Sequence, residues 1–454
     1  MFLAEKYAIF SGNLAWGDLP RDVREKTLDL LADWIANGAA GFHSKIGRAL
    51  SAVFPEGPSN GGSVLLGTLQ QAAPLEAALI NGGACHSLEF DDAYRGGLFH
   101  PGAPVISAAW AAAGIKKNSG PRFLSAIAAG YEISMRLAEA VNPGHNQIWH
   151  TTGTVGTFGA AASASHCLGL DSAQTANAFG LAGTQASGLW EILPDSPLSK
   201  GLHTGKAAQS GLLAALLSGQ GISGPSTIFE GPRGFFKAMV PEDVNMETCC
   251  AGLGNEWRLS QTTIKAYPVC GHTMTSIEAA LKLGKKVNPD RIEKIEIRAH
   301  SVSMGIAGNM APKTELEAKF SIAFCVAVAL VQKKVTLVNF SPDILSDPVV
   351  LSLLSKTTMI TDDELGNVKG QRPARITLTF NDGTTCSETA HTRKGDPENP
   401  LTRAEIKNKF MGLVDGIWGA KMGESIFNAI PLLPGYESFN TWIRDNILPW
   451  QKKN

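Results

Sequence analysis

From residue 103 to residue 220 the chain is dominated by alanine, glycine and leucine, and that run limits what it can fold into. Alanine favours helix on propensity. Small side chains also let helix axes approach closely, which suits a tightly packed all-helical domain. No strand-like alternation interrupts the run. Its periodicity predicts helices at about 104–116, 121–141, 153–169, 172–187 and 204–219. Upstream, Val23, Leu28, Leu31, Trp34 and Ile35 fall at helical spacing within 20–40, with Pro20 near the start and Gly38 near the end. Residues 44–60 read as irregular, and 74–86 as a further helix.

The pattern changes after about residue 260. Residues 291–299, RIEKIEIRA, alternate as a half-buried strand does. Residues 374–381 and 384–390 flank Asp382–Gly383, a hairpin signal. Helical patterns occur at 271–285, before the first of these strands, and at 315–332, between them. This region reads as α+β. After GDPENPLT at 395–402 the pattern is helical again, at 403–413, 423–430 and 437–446. The expected organisation is therefore a large all-helical domain from 1–262, a smaller inserted α+β domain at 263–399, and a helical tail, 400–454, that returns to the first domain.

At 454 residues two domains are the natural expectation. Forty basic and 41 acidic residues leave a formal charge of −1, which argues against nucleic acid or an anionic membrane as the main partner. No apolar run reaches the ~18 residues of a membrane span. The first 20 residues carry acids and lack the layout of a signal peptide. Seven scattered cysteines without framework spacing suggest reduced thiols and a cytoplasmic setting. There is no CxxC pair, HExxH motif, phosphate loop or dinucleotide-binding glycine pattern, so no metal or cofactor is expected.

Four polar segments carry the candidate chemistry. His86 to Val105, HSLEFDDAYRGGLFHPGAPV, sets Asp91 and Asp92 near His100. Helix capping is the plain alternative for the acids. GHNQIWHTTGTVG places His150 just before a helix start, where free backbone amides favour anions. SPLSKGLHTGKAAQ spaces Lys200, His203 and Lys206 three apart. Cations near the positive end of a helix oppose stability, and a carboxylate or phosphate substrate would explain them. KAYPVCGHTMT brings Tyr267, Cys270 and His272 to an irregular turn, without the local context of an acyl-transfer elbow. Histidines, lysines and acids together suit binding of small polycarboxylates and proton transfer beside them. His86 and Glu89 have no assigned task and read as structural.

HSLEFDDAY…HPGAPV, WHTTGTVGTFGAAASASHCLGL, KGLHTGKAAQSG, FEGPRGFF, KAYPVCGHT and GDPENPLT occur in this order along the chain, and together they resemble the MmgE/PrpD family. That family includes 2-methylcitrate dehydratase, cis-aconitate decarboxylase and iminodisuccinate epimerase. The resemblance implies a cofactor-free, metal-free homodimeric enzyme acting on a small di- or tricarboxylate, with its active site at the junction of the two domains. It implies catalytic roles for His100, His150, Lys200 and His272. It places Asp91 and Asp92 near the substrate, while His203, Lys206 and Tyr267 complete the expected binding set.

One departure bears on the reaction. Relatives carry a tyrosine where AKFSIAFCVAVAL has Phe324, which removes a hydroxyl donor or proton carrier. The GPLxNPADRDH-type segment of the methylcitrate dehydratases is replaced by AGNMAPKTELEAKFS. The epimerase shares the KFSI segment without tyrosine. The expected activity is a cofactor-independent lyase reaction, dehydration or decarboxylation, with dicarboxylate epimerisation or simple small-acid binding as alternatives.

Overall fold

Among the described residues, nine helices fill most of the chain up to residue 220: α1 (Leu3–Asn13), α2 (Arg21–Phe42), α3 (Lys45–Ala52), α4 (Pro74–His86), α5 (Gly102–Ile115), α6 (Gly120–Val141), α7 (Thr151–Leu168), α8 (Ser172–Gly183) and α9 (Lys200–Gly219). They belong to a computed structural model that describes residues 1–54, 62–192, 197–365 and 372–450. By its internal contacts the chain divides into two compact units. One is Met1–Ile264 with Thr402–Asn454, and the other is Lys265–Leu401.

In the first unit α7 is buried along its whole length. It packs against α5, α6, α8 and α9, while α9 also packs against α4. Small residues make this possible. A Cβ on Gly205 of α9 would fall 2.3 Å from the Leu79 carbonyl oxygen of α4, and one on Gly211 would fall 2.5 Å from the Ala160 side chain of α7. The glycines and alanines therefore mark axis-to-axis contacts and not flexible points. Some hydroxyls on α7 turn back to their own helix, as where Thr157 Oγ1 donates to the Gly153 carbonyl at 2.9 Å, and others reach neighbouring elements, as where Ser163 Oγ donates to the Val105 carbonyl of α5 at 3.0 Å, so these buried polar positions do not break the packing.

The helical tail is part of this unit. Arg403–Trp418 packs on α2, and Phe439–Asn446 packs on α5. Trp110 of α5 meets Trp34 of α2 at 5.2 Å and Phe439 of the tail at 5.3 Å, joining three distant stretches of sequence in one aromatic core.

The second unit is α+β. Its sheet runs in the order β4 (Thr357–Thr361), β3 (Ile292–Ala299), β5 (Ala374–Phe380) and β6 (Thr385–Ala390); a separate two-residue pair, β1 (Ser63–Val64) with β2 (Gln71–Ala72), lies in the first unit. β3 and β4 are parallel, and the other pairings in the sheet are antiparallel. Gly383 supplies the positive φ, +79°, of the β5–β6 hairpin. Helix Met274–Gly284 packs on β5 and β6, and Ile322–Gln332 packs on that helix.

Several expected boundaries move. Gly38 lies inside α2 and does not end it, because a side chain there would meet Leu66 at 2.6 Å. Residues 45–52 form α3 where irregular chain was expected, with the Ser44 hydroxyl accepting from Gly47 N. The rest of that expected irregular stretch, 55–60, lies outside the described residues. The 315–332 helix is two, Glu315–Lys319 and Ile322–Gln332, because Ser321 starts a new helix by accepting from Phe324 N. The helix expected to run to 187 ends at Gly183, and α9 starts at Lys200, not 204. β4 carried no alternation to reveal it.

Packing this close predicts that Gly205→Ala lowers stability by about 1–3 kcal/mol through a clash with α4. Gly412→Ala is the control. It is an exposed helix position with nothing within 4 Å of where its Cβ would lie, so stability should be unchanged or raised. Urea unfolding of the two variants beside the parent protein checks both.

Candidate active site

α4 ends at His86, and the chain then turns sharply before α5 begins at Gly102. Two non-glycine residues in this turn, Glu89 (φ 57°) and Leu98 (φ 48°), hold left-handed backbone. Such conformations persist only where surrounding structure fixes them. Here the tail contributes: Lys409 Nζ donates to the Phe90 carbonyl at 2.7 Å, sits 3.9 Å over the Phe90 ring and pairs with Asp33 at 2.5 Å. The bridge Ala93↔Thr263 pins the same turn from another side.

The turn delivers a cluster of polar groups away from solvent. His86 and Asp91 are each 1% exposed, and His86 Nδ1 lies 2.7 Å from Asp91 Oδ2. His100 Nδ1 is 2.8 Å from the Asp92 carbonyl oxygen and 3.5 Å from Asp91 Oδ2. Both neighbours of that nitrogen accept only, so Nδ1 carries the hydrogen and Nε2 holds the lone pair of the neutral ring. The His100 backbone amide donates to Thr152 Oγ1 on α7 at 3.2 Å.

His150 forms the N-cap of α7 and is 1% exposed. Its ring stacks on His86 at 5.6 Å, meets Trp190 at 4.4 Å, and places Nδ1 3.3 Å from Nδ1 of His203 on α9. One of these two nitrogens must donate to the other. Lys200, the first residue of α9, pairs with the buried Glu89 at 2.6 Å. Local spacing offers no reason for a cation at this helix start, and Glu89 supplies one. Lys206 is exposed and reaches Gln209 at 3.2 Å. It lines, with His203, Trp149 and Leu202, a surface cleft of about 550 Å³.

Burial sets the protonation states. It lowers His86 to about 4, against the pull of Asp91 and helped by Lys200. Burial lowers His150 well below the usual imidazole range, with Lys200 and its histidine neighbours adding to the fall, and it lowers His203 as well. Burial opposes ionisation of Asp91, yet His86 and His100 together outweigh it and keep the carboxylate charged. Asp92 goes the other way. Burial and the nearby charges of Asp91 and Asp33 push it up to about 8. At neutral pH the paired acids thus hold one charge, and the buried rings of His86 and His150 nearby are neutral.

Asp91, His100, His150, Lys200 and His203 therefore come together in the first unit. Asp92, expected near a substrate, has another task. Tyr131 donates to one of its oxygens at 2.9 Å and Gly102 N to the other at 3.0 Å, so it anchors the start of α5 from within the protein. His86 and Glu89, read from sequence as structural, belong to the cluster. Their pairing depends on the turn and on α9, which no local spacing reveals.

His272 and Tyr267 lie in the second unit. His272 Nδ1 is 3.3 Å from Ser303 Oγ. Burial, followed by Arg393, Arg372 and His300, lowers His272 to about 4. Those three side chains are a neighbourhood that the sequence did not suggest. Tyr267 donates to Glu278 at 2.7 Å. Phe324 is 1% exposed in the core of this unit.

Among the described residues, His86, Asp91 and His100 have donor atoms within 4.8 Å of one another, close enough to raise a metal site. The geometry fits hydrogen bonding better. The 2.7 Å His86–Asp91 separation is that of a shared proton, whereas two ligands of one ion at ~2.0–2.1 Å each stand roughly 3 Å or more apart.

Fold and side chains define a class: a mainly helical protein with a smaller α+β unit and a buried group of imidazoles, carboxylates and lysine. Family models for the MmgE/PrpD N-terminal and C-terminal domains match residues 5–247 and 267–430. The chain belongs to the MmgE/PrpD family. It is 30% identical over 444 residues to the cis-aconitate decarboxylase-like protein oryM of Aspergillus oryzae, covering 91% of this chain and 90% of that one. It is 28% identical to the cis-aconitate decarboxylase of Mus musculus, over 82% and 78% of the two chains. It is 25% identical to the 2-methylcitrate dehydratase of Cupriavidus necator, over 75% of each.

The raised Asp92 gives a pH prediction. Native Asp92 keeps its proton up to about pH 8, whereas the unfolded carboxyl releases it near the ordinary value of 3.8. The unfolded state binds fewer protons in that window, so this contribution to stability falls as pH rises through it. Asp92→Asn stays neutral throughout. Its stability relative to the parent should rise steadily between pH 5 and 8 in urea unfolding; a pH-independent difference contradicts the assignment.

Proposed function

We propose that the protein is a lyase that removes CO2 or water from a small tricarboxylate by proton transfer next to a carboxylate. Its relatives are named for decarboxylating cis-aconitate and dehydrating 2-methylcitrate. The main support is the fixed tautomer of His100. Its Nδ1–H is committed to the Asp92 carbonyl, which leaves Nε2 as a base in a partly exposed position.

Both reactions need such a group. Loss of CO2 leaves an electron pair that must take a proton from an imidazolium. Dehydration takes a proton from carbon and returns one to the departing hydroxide. A histidine does either near neutral pH, and Asp91 offsets the charge while His100 holds the proton. Lys200, with Lys206 and His203 at the cleft, is assigned to the substrate's carboxylates. His150 and His272 are the remaining acid/base candidates, kept on their matched motifs. The site residues need no cofactor or metal for this chemistry. The reading includes a homodimer, as the family resemblance implies.

Phe324 supports a second reading. Without the tyrosine hydroxyl, a reaction that needs only removal and return of an α-proton, epimerisation of a dicarboxylate, is open to the same residues. Proton NMR of di- and tricarboxylates in D2O separates the readings. CO2 or water loss marks the lyase, deuterium exchange alone marks the epimerase, and unchanged substrates support a binding role.

On the reacting substrate, His100→Gln, Lys200→Ala and His272→Gln should each lower turnover by ~10²-fold or more. Dialysis against a chelator should leave the parent rate unchanged. Full activity in the variants, or a chelator loss restored by zinc, contradicts the assignment.

A further inference from the structure

Asp91 Oδ2 is shared by two imidazoles, His86 at 2.7 Å and His100 at 3.5 Å. His86 is the more buried of the two, with a side chain 0% exposed against 17% for His100, and its Nδ1 is taken up by Asp91. Two polar atoms of this pair, His86 Nε2 and Asp91 Oδ1, make no hydrogen bond with any described residue. Buried polar atoms are nearly always partnered, so two orphans in one pair are poorly explained by packing. A core that needed only volume here would hold a leucine or phenylalanine.

The groups facing His86 are all on elements already described. Asp91 and His100 come from the turn after α4, with the His100 ring 4.7 Å from that of His86. His150 stacks from the start of α7 at 5.6 Å, and Lys200 acts on it from the start of α9. His86 is thus the ring through which the first candidate histidine, the second, and the shared carboxylate are in mutual contact.

We infer that His86 is a positioning residue for His100: it donates Nδ1–H to Asp91 Oδ2, so that this carboxylate is shared and held at a set distance from His100 without binding it tightly. The inference rests on the reading of His100 as the acid/base group. A carboxylate with a close donor elsewhere attracts a second imidazole less strongly. Take His86 away, and the field of Asp91 falls undivided on His100. The imidazolium is then held too well, and the base is freed only at higher pH. His86→Asn restores an N–H near the Nδ1 position, whereas His86→Phe keeps a flat ring but has no donor.

The test has two readouts. The first needs no substrate. In selectively labelled ligand-free protein, a far-downfield imidazole N–H resonance should be present and should vanish in both His86→Phe and Asp91→Asn. The second uses whichever acid the enzyme turns over. His86→Phe should lower kcat about tenfold or more with little change in KM, and should move the acidic limb of the kcat/KM profile to higher pH. His86→Asn should return the limb towards its original position. A merely structural histidine would change stability and leave the limb in place, and that result overturns the inference, as does a downfield proton that survives in His86→Phe. The two claims fail separately. If His100→Gln is fully active, the acid/base reading fails. If His100→Gln is inactive while His86→Phe keeps the parent kcat and pH profile, only the positioning role fails.

Discussion

Close approach of helices is the constraint on which the first unit depends. α4, α5, α7 and α9 lie so near one another that a single added carbon at Gly205 or Gly211 meets a neighbouring helix. This proximity brings the end of α4, the start of α7 and the start of α9 together, and the candidate residues stand at those ends. His86 closes α4, His150 caps α7 and Lys200 opens α9. Larger side chains would separate the helix ends and so disperse the cluster. The alanine-rich packing and the polar site are one design seen at two scales.

Burial then decides what those residues can do. Removing ionisable groups from water favours their neutral forms. His86 and His150 are neutral for this reason, and Asp92 keeps its proton. Within the candidate cluster, two ionic interactions resist the trend. Glu89 meets Lys200, and Asp91 is held charged between His86 and His100. The first unit therefore retains a few charges among neutral imidazoles, a state in which one added proton changes the electrostatics strongly. Lys409, far away in sequence, fixes the turn that carries two of these charges by binding the Phe90 carbonyl.

Much of the fold was legible because its signals are local. Alanine runs and helical spacing marked α5 to α9, alternation marked β3, and Asp382–Gly383 marked the hairpin. Where tertiary contact overrode a local signal, the sequence misled: Gly38 looks like a helix end but is a packing contact with Leu66. The site was legible in part. Matched motifs pointed to His100, His150, Lys200 and His203, which do converge. They did not reveal that Asp92 faces Tyr131 and Gly102, because the direction of a side chain in a turn depends on the whole turn. Nor did they reveal His86 and Glu89 as partners of Asp91 and Lys200. Those pairings join residues by a left-handed backbone at Glu89 and by a helix 111 positions away, and neither leaves a trace in spacing.

The proposed chemistry stands or falls on two placements: His100 Nε2 facing a reacting carbon, and Lys200 meeting a carboxylate. A crystal structure with a saturated, unreactive tricarboxylate bound would observe both at once. A carboxylate oxygen is expected within hydrogen-bond distance of Lys200 Nζ and a ligand carbon next to His100 Nε2, with His100 Nδ1 still on the Asp92 carbonyl. A ligand bound away from both residues, or a metal ion joining His86, Asp91 and His100, would contradict it.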